Sequence, residues 1–343
     1  MNLYRHIDRQ QIQFDFVNME THNKPLAYTD EIKQLGGHIL KIPGRRENPI
    51  QNKRELADII RNGNYQYVDN NVLTWSYSAG VSLPLRLGTK VIVHSHNAGM
   101  NNNMRMRRLL NFINRRYNLN SHIVRLACSH EAGKWLFGHK PFQVIPNGIN
   151  TQDYQFDASI RDQYRRKFKV EDKHVFLNVA RLSHQKNHQY LLKLFKEIVK
   201  RDVKAVLFLV GEGELHGQLV AVIHQLHLEA YVNFLGVRDD VSELMQMSDE
   251  LLFPSFYEGL PIVLVEAQAT GLKCFASNKI SHEVFLTNEI FPMDIEASVQ
   301  KNALYALHIL QRPYQRRDGA KEIREAGYGV EATAAKMKAI YES

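Results

Sequence analysis

Two glutamates with seven residues between them, Glu258 and Glu266, are carboxylates that could accept hydrogen bonds from hydroxyls. They lie in Phe253-Pro254-Ser255-Phe256-Tyr257-Glu258-Gly259-Leu260-Pro261-Ile262-Val263-Leu264-Val265-Glu266-Ala267. The stretch begins as the tail of an apolar strand, Leu251 to Phe253. Pro254, Gly259 and Pro261 then force a loop, because proline has no N–H for a ladder and fixes its own φ. Pro261 suits the first turn of a helix, where a missing N–H would be unpaired anyway. The helix is expected from about Pro261 to Thr270, with Gly271 as its stop. The backbone groups of Gly259, Leu260, Ile262 and Val263 sit where a helix N-terminus presents N–H donors and partial positive charge, a ready anion site. A phosphate held there, with carboxylates on either side to accept hydroxyl hydrogen bonds, suits a sugar nucleotide.

Four further clusters could do chemistry. Arg181 and Lys186 follow an apolar strand, Val175 to Val179; they are either a diphosphate-binding pair or a basic surface turn. Gly211 and Gly213 follow the strand Ala205 to Val210; glycines allow close backbone approach to a flat ligand but also mark a plain turn. Val237 and Arg238 end the strand Val232 to Leu235. His94 and His96 end the strand Lys90 to Val93, where they suit hydrogen bonding to sugar or phosphate as well as a structural role. A metal site would need a third ligand close by, and none is evident, so no metal is assigned.

These clusters need strands to carry them, and the chain alternates strand with helix twice over. In the first half, strands are expected at Phe14 to Val17, His38 to Ile42, Tyr67 to Asn70, Lys90 to Val93, Arg125 to Cys128 and Phe142 to Ile145. Helices fall between them at 29–35, 49–62, from Ser76, at 104–117 and at 131–137, after an opening helical segment at 2–9. In the second half, short apolar strands (175–179, 205–210, 232–235, 251–253, 274–276) alternate with helices at 187–201, 214–227, 240–247, 261–270 and 296–311. Leu191, Leu194, Phe195 and Ile198 make the stripe of the first of these helices. Such alternation implies two parallel sheets covered on both faces, which bind ligands at the carboxyl ends of their strands. The expected domains are 1–150 and 174–318, joined by a polar, charge-rich link at 151–173. Helices at 319–343 follow, with a return to the first domain open to them.

Composition bounds the partners. With 343 residues, 44% apolar and 23% charged, the chain is an ordinary globular protein of about two domains. It has no apolar run of membrane-spanning length and no apolar leader segment, so a cytoplasmic location is expected. Cys128 and Cys274 read as buried free thiols. The net charge of +8 favours an anionic partner. Five arginines (Arg105, Arg107, Arg108, Arg115, Arg116) alternate with large apolar residues in 104–117. That pattern reads as a helix on an anionic inner membrane surface, or as a solvated helix packing its apolar side on the sheet. No nucleic-acid motif accompanies the charge.

The pattern E-G-L-P-x5-E-A at Glu258 to Ala267 resembles the Glu-x7-Glu motif of family 4 glycosyltransferases, and Arg181 to Lys186 resembles the same family's Arg-x4-Lys element. The resemblance covers nearly the whole chain and implies a GT-B architecture, two Rossmann-like doubly wound domains facing a cleft. It departs at the start: the family's first strand and Gly-rich loop are not found before the helix at 2–9. By resemblance, Arg181 and Lys186 stabilise the departing diphosphate and Glu266 accepts the ribose hydroxyls. Glu258 and the amides after it hold the transferred sugar. Gly211 and Gly213 pack on the nucleotide, Val237 and Arg238 read the base, and His94 and His96 lie near donor sugar and acceptor. Asn147 and Gly148 match a hinge-edge turn. The implied reaction is sugar transfer from a nucleotide sugar, expected to be UDP-linked, with retention and without a required metal. The implied acceptor is a glycan or polyprenyl-linked sugar of exopolysaccharide or capsule synthesis at the inner membrane face. A non-catalytic sugar-nucleotide-binding subunit and a nucleotide-sugar epimerase are the alternatives.

Overall fold

The computed structural model describes residues 1–19, 28–45, 47–75, 77–97, 99, 105–119 and 121–343, with backbone alone at 105–108. Ser76 and Met104, expected to open two helices, lie outside the described residues, as do the side chains of Arg105, Arg107 and Arg108. The chain forms two compact units, Met1–Gly148 with Val330–Ser343, and Ile149–Gly329.

The first unit runs α1 (Asn2–His6), β1 (Phe16–Asn18), α2 (Thr29–Gln34), β2 (Ile39–Lys41), α3 (Pro49–Asn62), β3 (Tyr67–Val72), α4 (Ala79–Arg86), β4 (Lys90–Ser95), α5 (Arg105–Asn118), β5 (Val124–Ala127), α6 (His130–Phe137) and β6 (Gln143–Val144). β3, β4, β5 and β6 make a four-stranded parallel sheet in that order, and β1 pairs with β2 in parallel. Val91, Ile92, Val93 and Leu126 are fully enclosed, as strands covered on both faces must be. α3 starts where Asn48 accepts a hydrogen bond from the Gln51 N–H and Pro49 fills a position with no N–H to satisfy.

The second unit runs α7 (Ala158–Phe168), β7 (His174–Val179), α8 (His188–Val199), β8 (Ala205–Val210), α9 (His216–Leu226), β9 (Val232–Gly236), α10 (Val241–Met247), β10 (Glu250–Phe253), α11 (Ile262–Ala269), β11 (Lys273–Ser277), β12 (Ile290–Met293), α12 (Val299–Gln311) and α13 (Ala320–Glu325). The chain then returns to the first unit as α14 (Val330–Tyr341). There Met337 joins the core of Ile92, Leu126 and Ile145, and the Tyr341 hydroxyl donates to Asp69 at 2.7 Å. The six strands of the second unit are parallel, in the order β12-β11-β10-β7-β8-β9. Strand order reverses between β7 and β10. A doubly wound sheet opens its ligand crevice at that point, outside the carboxyl ends of the two strands.

Two differences from the sequence reading have physical causes, and one of the two readings left open for α5 is not met. The expected link at 151–173 carries α7 and belongs to the second unit. α7 escaped an apolar-periodicity reading because its inward face is basic. Arg161 and Arg165 both pair with Asp249, and Arg161 also donates to the carbonyls of Gln246, Met247 and Ser248 at the end of α10. β12 was missed because Pro292 interrupts an already short apolar run; an edge strand tolerates it, since one side needs no ladder donor. α5 does not lay its apolar side on the sheet: Leu109, Leu110, Phe112, Ile113 and Tyr117 are exposed.

Candidate functional site

The crevice at the strand-order reversal is built from the loops after β7 and β10, and backbone bonds join them before any side-chain charge is considered. The Phe256 N–H donates to the Gln185 carbonyl at 2.9 Å, and Gln185 Nε2 donates to the Tyr257 carbonyl at 2.8 Å. Asn187 Nδ2 donates to the Pro254 carbonyl at 3.1 Å, and Asn178 Nδ2 to the Leu252 carbonyl at 2.7 Å. His184 stacks on Phe256 with ring centroids 5.2 Å apart. Asn187 turns the first loop into α8 with φ of 56°, a left-handed conformation that asparagine tolerates better than most residues. Held in this way, Lys186 and Glu258 meet: Nζ donates to Oε1 at 2.6 Å, and the two side chains are only 19% and 11% exposed. The ammonium also lies 5.1 Å from the centre of the Phe253 ring.

Arg181 stands on the same loop but is 74% exposed, and its guanidinium pairs with Glu214 at 3.2 Å. The two glycines beyond β8 decide where that loop lies. Gly211 has φ of +124°, and a Cβ there would stand 2.2 Å from the Ala180 carbonyl oxygen. A Cβ on Gly213 would stand 2.3 Å from the Leu182 carbonyl oxygen. Leu182 N–H donates to Glu212 and Leu215 N–H to Leu182, so the loop beyond β8 is laced to the Arg181 loop. The close approach that demands glycine here is therefore chain against chain, and it positions Arg181. Val237 is 69% exposed beyond β9, while the Arg238 guanidinium is committed to both oxygens of Asp240, which raises its pKa.

α11 begins with Pro261 as N-cap, which supplies no side-chain cap, so its first amides are not covered by a neighbouring side chain of that residue. Ile262 and Val263 lie half-buried at this mouth, and Leu260 is buried beside Gly259. The helix ends as expected: Gly271 has φ of 63°, Leu272 N–H reaches the Ala267 carbonyl and Gly271 N–H the Gln268 carbonyl, a Schellman arrangement. Glu266 sits in the second turn. Burial raises its pKa, and a hydrogen bond from the Tyr154 hydroxyl opposes that rise. Of the four residues expected around one gap, then, Lys186 and Glu258 touch directly. Arg181 and Glu266 stand on the same pair of strand-end segments with partners of their own. Tyr154 was missed; it lies 112 residues from Glu266 in a short turn at Thr151–Tyr154, and no local signal marks it.

In the first unit, His94 and His96 stand at the carboxyl end of β4 with ring centroids 4.2 Å apart. Burial, with a smaller push from His96, lowers the His94 pKa to about 3, against a hydrogen bond to the Ile145 carbonyl. Burial lowers His96 to about 4. Both rings are thus neutral at pH 7. His96 Nε2 bonds Asn71 Oδ1 at 2.6 Å, so that nitrogen carries the proton. His94 Nε2 is buried without a partner, which assigns the proton to Nδ1 and leaves Nε2 an acceptor for a hydroxyl.

The chain is similar to known proteins over most of its length. A Glycosyltransferase Family 4 model matches residues 1–153, and a Glycosyl transferases group 1 model matches residues 160–292. EpsF of Bacillus subtilis, a glycosyltransferase by assignment, is 34% identical over 83% of this chain and 76% of its own length. The chain belongs to glycosyltransferase family 4. A further relative of this glycosyltransferase is the UDP-Gal:alpha-D-GlcNAc-diphosphoundecaprenol alpha-1,3-galactosyltransferase of Escherichia coli, 30% identical over 48% of this chain and 45% of its own. The crystal structure of Anabaena Alr3699/HepE in complex with UDP and glucose superposes with a TM-score of 0.77 over 96% of this chain and 91% of that one, at 17% identity. The fold of the glycosyltransferase is GT-B. Arg181, Lys186, Glu258 and Glu266 all fall within the group 1 match.

Proposed function

We propose that the enzyme moves a sugar from a UDP-sugar to a polyprenyl-diphosphate-linked saccharide, with retention, in exopolysaccharide or capsule assembly. The observation that carries this reading is the Lys186–Glu258 pair, a largely enclosed cation and anion bridging the two loops at the strand-order reversal. The donor diphosphate takes the place of Glu258 as the partner of Lys186. Arg181 adds a second cation, and the first amides of α11 a third positive end. Glu258, released, accepts hydrogen bonds from the hydroxyls of the sugar. Glu266 accepts the ribose hydroxyls in place of the Tyr154 hydroxyl, and backbone groups at Val237 and Arg238 meet the base. His94 Nε2 accepts from a substrate hydroxyl, and His96 supports its neutral state.

In the chemical step the bond from the acceptor oxygen to the anomeric carbon forms as the bond to the diphosphate breaks. The acceptor proton passes to the leaving diphosphate, and the cations stabilise the charge that builds there. No metal is needed in this scheme, because Arg181 and Lys186 supply the positive charge. The bound UDP and glucose of the HepE complex and the diphosphoundecaprenol substrate in the name of the E. coli relative support the choice of donor and acceptor classes. The test is incubation of the protein with labelled UDP-sugars and an extract of bacterial membranes. Label in the lipid fraction, undiminished by EDTA, is the expected result. Binding of a nucleotide sugar without any transfer would favour a non-catalytic role, and no binding at all would remove the proposal.

A further inference from the structure

α5 is amphipathic, but it is mounted the wrong way round for a protein surface. A helix on a globular protein ordinarily turns its apolar stripe inward and its polar side to water. Here the inward side is a ladder of asparagines. Asn111 Oδ1 accepts from the Trp75 N–H at 2.7 Å, Asn114 Nδ2 donates to the Trp75 carbonyl at 2.8 Å, and Asn118 is fully buried. Trp75 is itself 1% exposed and anchored through its indole N–H to the Leu136 carbonyl of α6. These bonds fix the rotation of the helix about its axis. The opposite side carries Leu109, Leu110, Phe112, Ile113 and Tyr117, exposed by 54%, 41%, 69%, 55% and 59%. Their spacing of three, four, seven and eight residues places them on one face, with Arg116 among them. Leu73, 59% exposed, lies two residues from Trp75.

The stretch of chain that carries this face has charge of one sign. From Asn70 to His130 the chain has no acidic residue, but it carries Arg86, Lys90, Arg105, Arg107, Arg108, Arg115, Arg116 and Arg125. Asp69, just before this run, is buried against Tyr341, and the next acid, Glu131, lies at the start of α6. A second copy of the chain docked face to face would set like charge against like charge, an arrangement that disfavours association. At 14 residues, about 21 Å, α5 is too short to cross a hydrocarbon core of about 30 Å. An in-plane position, with the apolar face below the headgroups and the cations at their level, satisfies both features.

We propose that the outward face of α5 inserts into the interface of an anionic bilayer and holds the enzyme where a lipid-linked acceptor resides. The biological purpose rests on the acceptor reading above; the docking itself does not. The test uses the full-length protein and acceptor-free vesicles of phosphatidylcholine, alone or with phosphatidylglycerol. The expected result is co-sedimentation with the anionic vesicles that weakens as salt rises. Arg115→Gln with Arg116→Gln should lower partitioning by about fivefold per charge removed. Phe112→Ser with Ile113→Ser should lower it by roughly tenfold or more. A Phe112→Trp reporter should shift to the blue on vesicle addition. Phe112, Ile113 and Arg116 are exposed and Arg115 is half-buried beside Gly138, and none of them is assigned to the donor, so the UDP-induced thermal shift of each variant should equal that of the wild type. Wild-type protein that ignores anionic vesicles would overturn the proposal. So would partitioning that survives both double substitutions, or a dimer in solution that the Phe112 and Ile113 changes dissolve. Loss of the UDP shift in the wild type would instead count against the donor reading, and the vesicle result would still decide this one.

Discussion

Replacing Arg181 by alanine separates a functional cation from a structural one. Its partner in the structure is Glu214 at 3.2 Å, with the two side chains 74% and 56% exposed. An exposed pair of that kind contributes about 0–1 kcal/mol to stability, less in salt. If that contact were the reason for the arginine, Arg181→Ala would lower stability slightly and leave turnover alone, and Glu214→Ala would do the same. If Arg181 meets a diphosphate whose charge grows in the transition state, its loss should slow transfer by about 10²–10³, equivalent to roughly 2.7–4 kcal/mol. Lys186→Ala supplies the contrast. It strands Glu258, whose side chain is 11% exposed, without its counter-ion. Breaking a wholly buried pair costs about 3–5 kcal/mol, and the residual exposure here reduces that to roughly 2–3 kcal/mol. Lys186→Ala should therefore lose both stability and turnover, Arg181→Ala turnover alone. The assays are urea denaturation midpoints and initial rates of label transfer from the donor. Arg181→Ala turnover within about threefold of wild type, or destabilisation above about 2 kcal/mol, would refute the reasoning.

Three more outcomes follow from the same geometry. Gly211→Ala forces a left-handed backbone on alanine and drives its Cβ into the Ala180 carbonyl; it should cost about 2 kcal/mol or more and slow transfer by moving the Arg181 loop, measured by melting and initial rates. His94 has a folded pKa of about 3 against an ordinary 6.5, so between those values the unfolded chain binds a proton that the folded one refuses. Stability is then full above about 6.5 and falls as pH drops, by up to about 1.4 kcal/mol per pH unit for this residue, and His94→Gln should flatten the slope seen by denaturation at several pH values. Tyr154→Phe removes the hydrogen bond that opposes the raised pKa of Glu266; the acid limb of donor KM against pH should move to higher pH with kcat little changed, and an unmoved limb would exclude the assigned ribose role.

How much of this was legible in the sequence depends on the range of the interaction. β10, the proline-marked loop and α11 follow from local rules, and the Gly271 stop appeared where a left-handed residue was required. The α8 stripe of Leu191, Leu194, Phe195 and Ile198 is fully buried, as its period demanded. The helix α7 hid because arginines bonded to carbonyls and Asp249 do the work that apolar residues do elsewhere. Gly211 and Gly213 were read as letting backbone approach a flat ligand; what the structure brings against them is the neighbouring loop. The Lys186–Glu258 contact spans 72 residues and could be placed only by the strand order of the sheet. The mounting of α5 shows the limit most clearly: an amphipathic pattern says that two faces differ, and only the asparagine bonds to Trp75 say which one turns inward.

The central claim is that a donor diphosphate replaces Glu258 as the partner of Lys186. A crystal structure of the protein with UDP tests it most directly. The account predicts phosphate oxygens within hydrogen-bond distance of Lys186 Nζ, the Arg181 guanidinium and the first amides of α11, with Glu258 turned away from the lysine. UDP bound elsewhere, or bound while the Lys186–Glu258 contact stays at its present 2.6 Å, would contradict it.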